Sequence, residues 1–438
     1  MMNYESVIGL EVHVELNTKS KMFCRCSADY FGKESNTHTC PVCLGLPGAL
    51  PYINKAAIED CMKIGLALNC SISEKSLFER KNYFYPDLPK GYQISQYRWP
   101  LCVNGKLTIN NGQWIRINRV HQEEDTGKLT HAGNETLIDF NRSGVPLVEI
   151  VTEPDFRDVQ SVRDYAKKLQ QLFRYLEVSN ADMERGDMRL EANVSVRPES
   201  TKELPNYRVE LKNINSFRFM VAAIEYEIKR QIAAIERGEK LSQETRGWND
   251  DKKCTYLQRS KEEAHDYRYF PEPDLPEMSL QSSAISLQQI KDNMPELPWD
   301  KEERFIEKFK LTSAQAKVLT EYRELADFFE DTVKHGKEHG VDAIQIANFV
   351  INQKVGTEEK LPAQIVEEIL GKKSGIIGDS GELKRLASQV IAENSKAVAD
   401  YKSGKEAALQ VLMGGVMKLS MGKADTNKIK PLLEKLLK

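Results

Sequence analysis

The chain has 438 residues, 40% hydrophobic and 29% charged, with a formal net charge of −3. That length exceeds a single core and calls for two or three domains. The charge excludes a global attraction to nucleic acid, so any RNA contact must come from local basic patches. No apolar run reaches the roughly 18–20 residues that cross a bilayer. Met1–Ser6 also lacks the basic flank and apolar block of a secretion signal. A cytoplasmic protein with no membrane partner is expected.

Val7-Ile8-Gly9-Leu10 opens a strand that continues in alternation through Val12 and Val14. Glu11 and His13 project from one face of it, because side chains two apart on a strand share a face. Such a pair suits a metal ion or simply a solvated face. Next come Cys24, Cys26, Cys40 and Cys43, two close pairs around a loop containing Gly32. In a reducing compartment this cluster points to zinc, whose tetrahedral site needs four thiolates at about 2.3 Å and is structural when all four bind. His38 is a spare donor beside the cluster. Cys61, Cys70, Cys102 and Cys254 show no such spacing.

From Lys81 to Gln96, three consecutive aromatics, two prolines and Gly91 predict a stiff loop with displayed side chains. Strands are expected at Trp114–Ile117, Leu147–Val151 and Ala192–Val196. Glu123-Glu124-Asp125 precedes a Thr-Gly-Lys turn, Glu149 interrupts an apolar strand, and Glu191 opens another. A carboxylate embedded in an apolar run is costly unless paired or bound to a cation. Several of them could converge on magnesium, which takes oxygen ligands and keeps water and phosphates in its sphere. For each one singly, the alternative is a salt bridge to an arginine.

Phe217, Val221, Ile224, Ile228, Ile232 and Ile235 recur at helical spacing and Gly238 follows them, so a long helix is expected there. Asp266–Pro276 places aromatics around Arg268, and Arg259, Lys261 and Arg268 suit a phosphate or acidic substrate group. Neither a Walker loop nor a G-x-G-x-x-G pattern occurs. Beyond Pro298 the pattern is helical throughout, with a glycine-rich hinge at Gly375–Gly381 and lysines 418, 423, 428, 430, 435 and 438 near the end. The expected class is α+β: a domain over 1–294 on a mixed or antiparallel sheet, an all-α connector over 295–374 and a small all-α tail over 375–438.

Taken in series, these segments resemble the B subunit of the tRNA-dependent amidotransferase family. The resemblance rests on Gly9–His13, Arg80–Asp87, Glu123–Lys128, Asn141–Ile150, Glu210–Phe217 and Asp266–Asp274. It implies a cradle-like kinase domain that uses ATP to phosphorylate the free side-chain carboxylate of Glu-tRNA(Gln), Asp-tRNA(Asn) or both. Ammonia from a partner glutaminase, the amidase or A subunit, then displaces the phosphate, and a small C subunit holds the pair together. The family's magnesium positions fall on Glu11, His13, Glu124, Glu149 and Glu191, with Glu11, His13 and Glu124 also expected to be catalytic. Lys81, Tyr83, Tyr85, Lys90 and Arg268 are expected to contact substrate or nucleotide. The four cysteines match the zinc-containing branch, and the tail resembles the module that grips tRNA. Two departures stand out: Glu191 replaces a common aspartate, and the stretch between about 353 and 380 is shorter than the family's connector. Competing readings are the archaeal Glu-specific relative, whose inserted domain is not visible here, and a non-catalytic zinc-stabilised tRNA-binding protein of the same complex.

Overall fold

The computed structural model describes residues 3–260, 267–279, 285–355, 357–374, 379–405, 407–420 and 424–437. Lys261, Asp266, Lys423, Lys438 and the 375–378 part of the expected hinge lie outside the described residues. The chain forms two compact units, residues 1–298 and 299–438.

The first unit contains strands β1 (Tyr4–Glu15), β2 (Ser71–Ile72), β3 (Lys75–Ser76), β4 (Glu79–Asn82), β5 (Tyr92–Ser95), β6 (Cys102–Thr108), β7 (Trp114–Glu124) and β8 (Lys128–Ala132). They are followed by β9 (Glu135–Asp139), β10 (Pro146–Thr152), β11 (Met188–Pro198), β12 (Val209–Ile214), β13 (Glu244–Asn249), β14 (Cys254–Ser260), β15 (Phe270–Pro271) and β16 (Met278–Ser279). Its helices are α1 (Lys55–Ala67), α2 (Val159–Tyr175), α3 (Phe217–Glu236) and α4 (Leu287–Asp292). A nine-stranded sheet runs β14-β13-β12-β11-β1-β10-β7-β6-β2. It is antiparallel except where β12 and β13, joined through α3, pair in parallel, so the sheet is mixed.

The alternation along β1 sends Ile8, Leu10, Val12 and Val14 into the core, each essentially fully buried. Helices α1 and α3 pack over that apolar face, and α2 packs against both of them. Asp158 caps α2 by accepting from Ser161 N, and the helix buries Val162, Tyr165, Leu169, Leu172 and Phe173. Ser216 caps α3 in the same way, and Gly238 at φ +76° lies just past its end. The helix forms where its apolar period predicts, but the buried face is rotated from the expected one. Of the six periodic apolar positions only Ile224 is buried, alongside Met220, Ala223, Glu227, Gln231 and Ala234. Two polar groups survive inside because they are paired: Glu227 with Arg230 at 2.7 Å and Arg246 at 3.6 Å, and Gln231 with Tyr207 at 2.9 Å.

Lys81–Gln96, expected as one loop, is a hairpin instead. Asn82 pairs with Tyr92 and Glu79 with Ser95, so β4 and β5 enclose only the aromatic, proline-rich tip. β15 adds to β4 through Phe270 opposite Arg80, bringing the Arg268 segment against the hairpin.

The second unit is helical: α5 (Pro298–Phe309), α6 (Ser313–Leu319), α7 (Arg323–Glu338), α8 (Ala343–Gln353), α9 (Pro362–Ser374), α10 (Ser380–Glu393), α11 (Ser395–Lys402), α12 (Ala407–Leu419) and α13 (Thr426–Leu437). Reciprocal capping boxes, Thr312 with Gln315 and Asp342 with Gln345, start α6 and α8. Phe305, Leu319, Phe329, Ile346 and Ile365 belong to one core cluster, and Leu386, Val390, Leu412, Ile429 and Leu433 to another. No helix among the described residues is long and apolar enough to cross a membrane.

Candidate active site on the central sheet

The sheet face opposite α1–α3 is polar, and strand register assembles it. On β1, His13 lies opposite Glu149 of β10, and Glu149 lies opposite His121 of β7. Two residues along β1, Glu11 lies opposite Glu191 of β11. The Glu149 Oε2 atom stands 3.1 Å from His121 Nε2 and 3.8 Å from His13 Nε2. Glu123 is 3.4 Å from His121 Nε2, and its carboxylate accepts from Ser95 Oγ at 2.5 Å and Gln93 Nε2 at 3.1 Å. One donor atom each from His13, Glu123 and Glu149 lies within 4.8 Å of the others, and the same holds for Glu11, Glu191 and Glu210.

These carboxyl groups perturb one another. Burial raises the Glu11 pKa, and the carboxylates of Glu149, Glu191 and Glu210 raise it further. Burial also opposes the charge on Glu149, yet His121, His13 and Lys81 hold it well below the usual range. Burial works against Glu191 too, but Lys212 at 2.9 Å keeps it ionised. Lys212 also reaches Glu210, at 3.3 Å. Asn193 Nδ2 donates to Glu11 Oε1 at 2.8 Å. Beside Glu11 opens a cavity of about 370 Å³, lined also by Gly9, Asn193, Ser195, Tyr207 and Arg208.

Glu11, His13, Glu149 and Glu191 are thus gathered on one face, but Glu124 is not. Neighbouring side chains on β7 point to opposite faces, so Glu123 joins the group and Glu124 leaves it. Glu124 accepts from Ile94 N at 2.9 Å and forms a buried ion pair with Lys90. Lys90 is therefore committed to Glu124, with its ammonium 5.5 Å from the Tyr92 ring. Lys81 is placed differently, 5.2 Å from the Tyr267 ring centroid and 6.0 Å from that of Tyr83. Burial disfavours its charge, but Glu123, Tyr269 and Glu149 outweigh that and raise its pKa well above the usual value. Tyr83 meets Tyr267 edge-on at 5.8 Å. Tyr85 projects outward, 57% exposed. Arg268 is exposed on a left-handed backbone, φ +40°, with its carbonyl accepting from Asn82 Nδ2 at 2.9 Å.

Sequence reasoning missed His121, Glu210 and Lys212, and it named Glu123 among the carboxylates without choosing it over Glu124. The alternation His121-Gln122-Glu123 carries the same signal as Glu11-Val12-His13, polar groups two apart on a strand. The place of Lys212 depends on the β11–β12 pairing and has no local signature.

The four cysteines meet as their spacing predicts, with all four sulfurs within 4.8 Å of one another. Cys40 and Cys43 sulfurs are 3.8 Å apart, the separation that two ligands about 2.3 Å from a tetrahedral ion would show. Cys40 N–H donates to Cys43 Sγ at 3.1 Å, and Lys21 Nζ lies 3.8 Å from the same sulfur. The hydrogen bond from Cys24 and the Lys21 charge bring the Cys43 thiol down to about 5. Such a donor set fits a thiophilic divalent ion.

Residues 6–286 match the GatB/GatE catalytic domain model, and residues 339–437 match the GatB domain model. The chain is 45% identical to the B subunit of an aspartyl/glutamyl-tRNA(Asn/Gln) amidotransferase of Dehalococcoides mccartyi, covering 100% of this chain and 99% of the relative. It is 45% identical to that of Carboxydothermus hydrogenoformans over 99% and 98%, and 46% identical to that of Thermoanaerobacter pseudethanolicus over 98% of both. The Dehalococcoides alignment runs over 494 positions against 438 residues here, so that relative is the longer chain.

Proposed function

This chain belongs to the B-subunit family of the aspartyl/glutamyl-tRNA(Asn/Gln) amidotransferases, and from that premise we propose how its polar sheet face serves the reaction. The family's role is the ATP-dependent activation and amidation of an aminoacyl group on tRNA, the work of a glutamine-hydrolysing ligase. A side-chain carboxylate is a poor electrophile because its leaving group would be oxide. Phosphorylation converts that oxygen into a leaving group that ammonia can displace.

One observation carries the reading. Glu11, Glu123, Glu149, Glu191 and Glu210 share a face whose nearby ammonium groups are Lys81 and Lys212. A triphosphate approaching so many carboxylates would be repelled unless divalent cations stood between them. Magnesium bound there would supply charge neutralisation for the transferring phosphoryl. His13, Glu123 and Glu149 would hold one such ion, and Glu11 with Glu191 and Glu210 offers a second set of ligand oxygens beside it. Lys81, between the Tyr83 and Tyr267 rings and the carboxylates, orients an anionic group of the nucleotide or substrate. His121 fixes Glu149 at its Oε2 atom, 3.1 Å away. Positioning and charge neutralisation then suffice without a side-chain nucleophile.

Ammonia comes from an amidase partner, a small third protein joins the two, and the helical unit grips the tRNA body. The cysteine cluster takes zinc in a closed, structural site. The complex works in the cytoplasm. Co-expression with candidate partners, followed by assay with each mischarged tRNA, ATP and glutamine, tests the whole scheme. Glu11→Ala and His13→Ala abolish ADP production while tRNA binding persists. Turnover surviving both substitutions overturns it.

A further inference from the structure

The last turn of α7 and its C-cap read His335-Gly336-Lys337-Glu338-His339. At 3.6 residues per turn, positions i, i+3 and i+4 fall on one helix face. One imidazole nitrogen from each histidine and one Glu338 carboxylate oxygen lie within 4.8 Å of one another. The two rings are 4.7 Å apart and tilted by 41°. His339 Nδ1 stands 3.0 Å from the His335 carbonyl oxygen. A carbonyl only accepts, so Nδ1 carries the hydrogen and Nε2 is the nitrogen left to meet a metal. That backbone contact is the kind that orients metal-bound imidazoles.

The turn is anchored from its other side. Gly336 is buried, and a Cβ built there would come 2.7 Å from Ile346 Cδ1 and 3.2 Å from Val341 O. Thr332, also buried, donates to Phe328 O at 2.7 Å. Packing against α8 thus holds the inner face, while Glu338 and His339 are exposed and His335 is half-exposed on the outer one. Fixed backbone, matched ligand spacing and a set tautomer together make a chelating face.

We propose that His335, Glu338 and His339 form a binding site for a borderline divalent transition-metal ion of the zinc, cobalt and nickel class. Two imidazoles and one carboxylate suit such ions better than magnesium or calcium, and three protein ligands leave a coordination position for water or another molecule. The site is separate in ligand chemistry from the thiolate cluster, and that difference makes it measurable.

The full chain, with its cysteines saturated by zinc, is titrated with Co2+ and followed by absorption. The wild type takes up one cobalt more than the His335→Asn/His339→Asn double variant, and that increment gives weak visible bands without the intense near-ultraviolet sulfur-to-metal transition. The double variant lacks that increment and keeps only cobalt bound on the polar sheet face, and Glu338→Gln weakens binding of the increment about tenfold. Added Zn2+ raises the melting temperature of the wild type with saturated cysteines more than that of the double variant, because an additional ligand of the native state adds to the shift. Unchanged cysteine-bound zinc and an unchanged melting temperature without added metal show that the variant folds. Equal cobalt uptake by wild type and double variant, or uptake showing only the thiolate transition, overturns the proposal.

Discussion

Replacing Glu149 by glutamine is the sharpest perturbation of the polar sheet face. The side chain is 9% exposed, with Oε2 at 3.1 Å from His121 and 3.8 Å from His13. The amide keeps its size and one acceptor but removes the charge that faces the cation. Losing one preorganised charged group at a phosphoryl-transfer centre costs about 10²–10³ in kcat, which is about 3–4 kcal/mol. Stability changes far less, because two effects oppose. The charge-assisted bond to His121 is lost, at about 1.5–3 kcal/mol, while repulsion with Glu11 and Glu123 is relieved. The net change is expected below about 2 kcal/mol. ADP release by the assembled complex with mischarged tRNA reads the first quantity, and urea unfolding of the chain reads the second. A kcat within about threefold of wild type, or an activity loss fully matched by loss of folded protein, would refute the reasoning.

Glu123→Gln should impair ADP release much as Glu149→Gln does. By contrast, Glu124→Gln should mainly cost about 3–5 kcal/mol of stability by stranding the Lys90 ammonium, and urea unfolding separates the two outcomes. Chelation should release one tightly held zinc per chain and lower the melting temperature, and Cys40→Ser should abolish that release, as a metallochromic indicator reads. Arg142 and Arg189 hold buried Asp125 below its usual carboxylate range despite the burial cost. A depressed carboxyl pKa stabilises the fold above the ordinary Asp value, about 3.9, and that stability is lost as pH falls through the folded pKa. Asp125→Asn should therefore lower stability at neutral pH and flatten the acid limb of the unfolding profile. Gly105→Ala should cost about 1–3 kcal/mol, because a Cβ there would meet Cys70 Sγ at 2.3 Å and Leu68 O at 2.8 Å; thermal unfolding checks it.

What could be read from the sequence was what local pattern encodes. Period-two alternation placed Glu11 and His13 on one face of β1, and paired spacing gathered the four cysteines. The period of α3 gave the helix but not its buried side. Ion pairs to Arg230 and Arg246 let Glu227 face inward, and those partners are set by tertiary contact. The choice between Glu123 and Glu124 needed only parity, since His121 and Glu123 share the face that Glu124 leaves. The contribution of Lys212 required knowing that β12 lies beside β11, a pairing across separate segments that no local window contains. The hairpin β4–β5 was hidden because its aromatic, proline-rich tip dominates the composition.

The central claim is that a divalent ion sits on the polar face of the sheet, between β1 and its neighbours. A crystal of the assembled complex grown with Mn2+ and ADP and measured at the manganese edge locates that ion directly. The account predicts an anomalous peak within bonding distance of Glu149 and of Glu11 or His13. A peak bonded to Glu124 instead, or none on this face while ADP is bound elsewhere, would contradict it.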